Sequence, residues 1–128
     1  MAVSQPEAVA EELVSALAAQ DWTRLEACFA PDVRLFAALP SKDPLRERAG
    51  AHEVAAQLAA WFGDGDPLEL VESHVEPVAG KVRLSYRFRS FEAGAWHLVE
   101  QQAFCEVGAG GIERMHLACS GFERLDPT

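Results

Sequence analysis

From Trp96 to Phe122 the chain reads WHLVEQQAFCEVGAGGIERMHLACSGF, two alternating segments joined by Gly108-Ala109-Gly110-Gly111. A period of two across a glycine-rich joint predicts an antiparallel β-hairpin, and this hairpin decides the fold. Its apolar face carries Trp96, Leu98 and Phe104, but Glu100, Gln102 and Cys119 interrupt it. A carboxylate leaving water loses several kcal/mol, roughly, unless it finds partners, shifts its pKa or lines a wet pocket. Glu100 is therefore the first residue to ask about.

The same period extends backward. Segments 68–78, 81–91, 95–107 and 112–122 alternate between turns at Ala79-Gly80, Glu92-Ala93-Gly94 and Gly108–Gly111, predicting a four-stranded meander. Ahead of them the period is helical. Ser4-Gln5-Pro6-Glu7 reads as a capping box with Val9, Leu13, Ala16 and Leu17 behind it, giving a helix over about 5–20. Asp21 caps a shorter helix in which Leu25, Cys28 and Phe29 share a face, and Pro31 ends it. Val33 to Leu39 reads as a strand, and Pro40 to Arg48 as a solvated loop. Gly50 to Phe62 is a third helix, with Val54, Leu58, Trp61 and Phe62 on one face and the turn cluster Gly63-Asp64-Gly65-Asp66-Pro67 after it. Helices first and a curled sheet afterward give an α+β domain, three N-terminal helices on a mostly antiparallel sheet, spanning 1–128 as one unit.

Composition narrows the function classes. A formal charge of −9 disfavours a nucleic-acid partner, which Lys and Arg would have to hold. No apolar run approaches the ~20 residues of a membrane span, and the opening Met-Ala-Val-Ser-Gln-Pro-Glu lacks a signal-peptide layout, so a cytoplasmic chain is expected. Nine arginines against two lysines suggest a GC-rich bacterial genome. Cys28, Cys105 and Cys119 form no C-x-x-C and read as reduced thiols. His52, His74, His97 and His116 come from separate elements without zinc spacing; the last three fall on the outer face, and no metal or cofactor is expected.

Tight turns fix which residues face one another. Closing Ala79-Gly80 sets Val75 against Leu84, Ser73 against Tyr86, Glu76 against Arg83 and Glu72 against Arg87, the last two as complementary charges. Pairing Phe91 with Ala95 sets Tyr86 against Glu100, and the last hairpin sets Glu100 against Cys119 and Gln102 against Leu117. A polar row Ser73, Tyr86, Glu100, Cys119 then crosses the inner face, with Gln102 one step along. Leu13, Trp61, Phe88, Trp96 and Leu98 supply an apolar wall around it. In such a wall the Glu100 pKa rises toward the range useful for general acid–base work, with Tyr86 as its hydrogen-bond partner. The alternative is structural: Glu100 accepts hydrogen bonds and fixes the core. Cys119 has no basic neighbour in this register and is a ligand contact rather than a nucleophile.

Two helices meeting at Ala19-Gln20-Asp21-Trp22, a strand after Phe29-Ala30-Pro31-Asp32-Val33, a third helix and a closing Gly-Gly-Ile-Glu-Arg-Met-His-Leu meander together resemble the nuclear transport factor 2-like superfamily. Within it the chain looks most like small bacterial SnoaL-like proteins, relatives of polyketide cyclases, ketosteroid isomerase and limonene epoxide hydrolase. The resemblance implies a cone-shaped fold around an apolar pocket that takes an apolar small molecule, commonly dimeric through the outer sheet face. Specific activities do not carry over. Leu13 stands where ketosteroid isomerase has its tyrosine, Ala37 where it has its general-base aspartate, and Gln102 where it has its second oxyanion-hole acid. The Asp-Arg-Asp cluster of limonene epoxide hydrolase is not seen. The expectation is a cofactor-free isomerase, cyclase or hydrolase with Glu100 as acid or base; the alternative is a non-catalytic binding or dimerisation module. On the outer face, His74, His97, Val99, Ala103, Ile112 and Ala118 suit a homodimer contact.

Overall fold

A computed structural model of the protein describes residues 5–63 and 67–125. The Ser4 cap and the turn residues Asp64, Gly65 and Asp66 lie outside them. Helix α1 (Gln5–Ala19) buries Ala10, Leu13, Val14, Ala16 and Leu17, the stripe that its spacing predicts. Helix α2 (Trp22–Glu26) is a single turn, capped by Asp21, whose Oδ1 accepts the Arg24 N–H at 3.1 Å. Phe29 already belongs to strand β1 (Phe29–Ala38), so the second helix is shorter than expected. Pro31 sits inside β1 at an irregularity of its pairing, where a missing N–H interrupts no ladder.

Residues expected to loop after β1 instead form strand β2 (Leu45–Ala49), antiparallel to β1 with Ala38 against Leu45 and Arg34 against Ala49. Its charged Arg-Glu-Arg core hid it. Such composition is normal for an edge strand, which needs one partner and a surface that repels others. Helix α3 (Ala51–Phe62) follows and buries Val54, Ala55, Leu58 and Phe62. The three expected N-terminal helices are thus two long ones and one turn, and α3 follows β1 and β2.

The meander comes next: β3 (Leu68–Val78), β4 (Lys81–Glu92), β5 (Ala95–Gly108) and β6 (Gly111–Cys119). A two-residue β7 (Glu123–Arg124) pairs with β5 beyond the end of β6. The sheet order is β2-β1-β6-β5-β4-β3, antiparallel except where β1 runs parallel to β6. Helices α1 and α3 cover one face. Leu13, Leu17, Leu58, Phe62, Leu84, Tyr86, Phe88 and Met115 are buried between the layers.

The β3–β4 register is the expected one. The next differs by one residue: Phe91 faces Trp96, and Glu92 faces Ala95. Ala93 and Gly94 alone make the turn, with φ of 52° and 77°. Two left-handed residues form the tight turn whose twist matches that of the flanking strands, and it excludes Glu92 from the loop. Gly108 then faces Gly111 as expected, but an irregularity at Glu106/Val107 shifts the remaining rungs, so that Cys105 faces Met115 and Gln101 faces Cys119. Strand β5 is turned over relative to the sequence reading. Val99, Gln101, Ala103 and Cys105 are buried, and Trp96, Leu98, Glu100, Gln102 and Phe104 take the outer face.

Candidate functional site

Tyr86 and Gln101 meet at the centre of the inner sheet face. The Tyr86 hydroxyl donates to Gln101 Oε1 at 2.6 Å, between side chains on neighbouring strands that are 1% and 0% exposed. That bond fixes the amide, leaving Nε2 as the free donor. Gln101 Nε2 has no hydrogen-bond partner among the described residues. Phe62 packs edge-on to Tyr86 with ring centroids 6.2 Å apart, and lies 5.3 Å from Phe88 and 5.9 Å from Phe122. Cys119, half-buried, stands opposite Gln101 on β6.

The pair is uncharged. Burial pushes the Tyr86 phenol well above its ordinary pKa, with Cys105 and Cys119 adding to the rise. Burial also raises the Cys105 thiol to about 12. Ser90 and Gln101 are the other buried polar residues of the described chain, so the interior around Tyr86 holds neither carboxylate nor guanidinium. It offers hydrogen bonds and apolar contact.

Glu100 is on the opposite face, a correction that follows from the one-residue shift of β5. Its Oε1 accepts from Arg87 Nε at 2.9 Å and from Nη2 at 2.8 Å, and its Oε2 from Gln102 Nε2 at 3.0 Å. Those bonds, that from Gln102 foremost and those from Arg87 next, hold its carboxyl below the usual carboxylate range despite some desolvation. In the apolar wall expected from the sequence the shift would run the other way. With Glu72, His74, Arg83 and Ser85 these groups line a shallow polar hollow of about 200 Å³.

The remaining candidates divide. Leu13 and Phe88 are buried in the core, and Trp61 packs half-buried against it. Ser73 keeps its register with Tyr86 but is exposed on the edge strand, in an open groove that also involves Val14, Ala18 and Leu70 of α1 and β3. Gln102, Trp96 and Leu98 left the inner face with Glu100. Trp96 lies beneath the Arg89 guanidinium at 4.6 Å and against Phe91 at 5.3 Å. Conversely Val99, Ala103 and Ile112, expected outside, are buried. His97 also moves to the inner side of β5, where Nδ1 lies 3.1 Å from the Ala95 carbonyl oxygen. His74 and His116 keep the outer face. No cluster of three or more metal-binding side chains occurs among the described residues.

Gln101 is the residue that the sequence reading missed. A signal was present: Gln101 and Gln102 are adjacent, so either register of an alternating strand turns one glutamine inward.

No protein-family model matches the chain, and no curated protein matches it. Solved structures do. A ketosteroid isomerase-like protein from Kribbella flavida aligns with a TM-score of 0.68 at 17% identity, over 97% of this chain and 84% of that one. An epoxide hydrolase of M. tuberculosis, similar to limonene epoxide hydrolase, gives 0.67 at 14% identity over 90% and 82%. An NTF2-like protein of unknown function from Cytophaga hutchinsonii gives 0.60 at 13% identity over 96% and 95%. The chain has the nuclear transport factor 2-like fold. At these identities the likeness is one of fold, and it agrees with the resemblance carried by the sequence. Among its described residues the chain has no helix long and apolar enough to cross a membrane.

Proposed function

We propose that the protein binds an uncharged, apolar small molecule between its helices and the inner sheet face. Tyr86 and Gln101 form the polar anchor, and Leu13, Trp61, Phe88 and Cys119 contribute to the wall. One observation carries this reading: a fully buried amide whose Nε2 has no partner among the described residues. Leaving a buried donor unpaired costs about 1–3 kcal/mol, and a ligand acceptor placed there offsets it. Charged ligands gain nothing comparable, because the surrounding buried side chains are neutral. Binding without proton transfer fits this interior better than acid–base turnover by Glu100, which lies outside it.

A second reading, a cofactor-free isomerase, cyclase or hydrolase, draws support from the ketosteroid isomerase-like and epoxide hydrolase neighbours. It keeps the Tyr86–Gln101 pair as the group that polarises a substrate oxygen, and needs an acid or base other than Glu100. In either reading the protein forms a homodimer through the outer sheet face, where Phe36 stacks on His116 at 4.9 Å beside exposed Phe104 and Leu45.

Acetophenone, neutral and bearing one carbonyl, is a suitable probe. Titrated into isotopically labelled protein, it should shift the Gln101 side-chain amide signals and leave those of Gln102 in place. Movement of Gln102 with Gln101 unmoved would overturn the interior site.

A further inference from the structure

The interior site is shut: Leu13, Tyr86, Phe88 and Gln101 expose at most 1% of their surface. Any ligand must displace something, and the candidates differ greatly in what they would lose. Helices α1 and α3 and strands β4 to β6 are continuous hydrogen-bonded elements whose opening breaks many bonds at once. Segments with few such bonds open first.

The stretch Ser120–Leu125 is such a segment. Its bonds to β5 are concentrated at its ends. Ser120 N–H donates to the Glu100 carbonyl, and Glu100 N–H to Ser120 Oγ, each at 2.8 Å; Leu125 N–H donates to the Trp96 carbonyl at 2.8 Å. The two rungs of β7 lie next to the Leu125 end. Between the anchors stand Gly121 and Phe122. Gly121 holds φ +85°, in the region that side chains with a Cβ rarely enter, and a Cβ there would lie 3.0 Å from Pro40 Cγ. Its N–H donates to Cys119 Sγ at 3.4 Å. Phe122 is half-buried and touches Phe62, which in turn touches Tyr86. Exposure along the inner face rises from none at Gln101 to partial at Cys119, its neighbour on the strand that ends here.

From this we propose that Ser120–Leu125 is a hinged strap, turning at Gly121, and that outward movement of Phe122 opens the way past Cys119 to the Gln101 amide. The inference rests on the interior binding reading and adds how that site is reached. Between the hydrogen-bonded ends of the strap, the contact of Phe122 on Phe62 closes its middle. The Cys119 thiol reports the opening. Cys105, deep in the sheet with its thiol raised to about 12, serves as the closed reference.

Iodoacetamide alkylation of each cysteine, followed by peptide mass spectrometry, tests the strap. Phe122→Ala should speed reaction at Cys119 by about tenfold, the effect of losing one aromatic pair, and leave Cys105 unreactive. Saturating acetophenone should slow Cys119 in the unaltered protein. Circular dichroism checks that the variant folds; if it does not, Phe122→Leu is read instead and should show a smaller rise of the same sign. An unchanged Cys119 rate in a folded variant overturns the strap. Acetophenone that shifts Gln101 but leaves the Phe122 signals and the Cys119 rate unmoved overturns the strap and spares the interior site. Acetophenone that fails to shift Gln101 overturns the interior site itself.

Discussion

Tyr86 and Gln101 share one 2.6 Å hydrogen bond in which the phenol is the donor and the amide oxygen the acceptor, each the other's polar partner in an apolar core. Breaking such a pair from one side strands the other. Tyr86→Phe should destabilise the fold by about 1–3 kcal/mol, and Gln101→Leu by less, because it strands the phenol but also removes an Nε2 that has no partner among the described residues. The double variant should recover most of that loss, because both orphaned groups are gone. Urea denaturation of the four proteins measures the coupling; losses that simply add would show that the pair does not act as a unit.

Glu100 gives a pH signature of a different kind. Its carboxyl is depressed by Gln102 and Arg87, so its contribution is present above the ordinary carboxylate range and fades as pH falls through the lowered value. With the side chain 30% exposed and screened by solvent, the pair is worth roughly 0–1 kcal/mol. Glu100→Gln should therefore lower stability slightly at neutral pH, match the parent in acid, and leave acetophenone binding untouched. Thermal melts across pH, with and without the probe, decide the matter. A large loss of binding would return Glu100 to the site.

The outer face predicts association. Phe104, 44% exposed, lies opposite His116, and Leu45, 73% exposed, projects from the neighbouring edge. Sedimentation equilibrium should find a dimer, and Phe104→Asp should shift it to monomer without lowering the monomer's content of secondary structure. A parent protein that stays monomeric at high concentration would count against this contact.

Most of the fold could be read from periodicity, because the elements that bury a face show it. Helices α1 and α3, the β3–β4 register and the four strand positions of the meander follow from apolar spacing and from the Ala-Gly turns. Strands β2 and β5 are among the features that did not. Strand β2 carries Arg46, Glu47 and Arg48, since an edge strand needs little apolar surface. Strand β5 carries apolar residues on both faces, so its pattern permits two registers. The larger set, Trp96, Leu98 and Phe104, is the one that apolar bulk alone favours inside. In the fold Phe62, Tyr86 and Phe88 already fill that space, and the smaller Val99, Ala103 and Cys105 fit beneath them. One residue of turn length then exchanged Glu100 for Gln101. The candidate site was legible as a place, Tyr86 and its neighbours, and not as a chemistry.

The parallel pairing of β1 with β6 joins residues some eighty positions apart, from Phe29 against Ile112 to Ala38 against Ala118. During synthesis the first strand therefore waits for nearly the whole chain before that side of it is covered. Until then Leu35 and Ala37, buried in the finished sheet, lack their neighbours Met115 and Leu117. Slow, late-closing folding and exposure to aggregation at this seam follow from the topology itself.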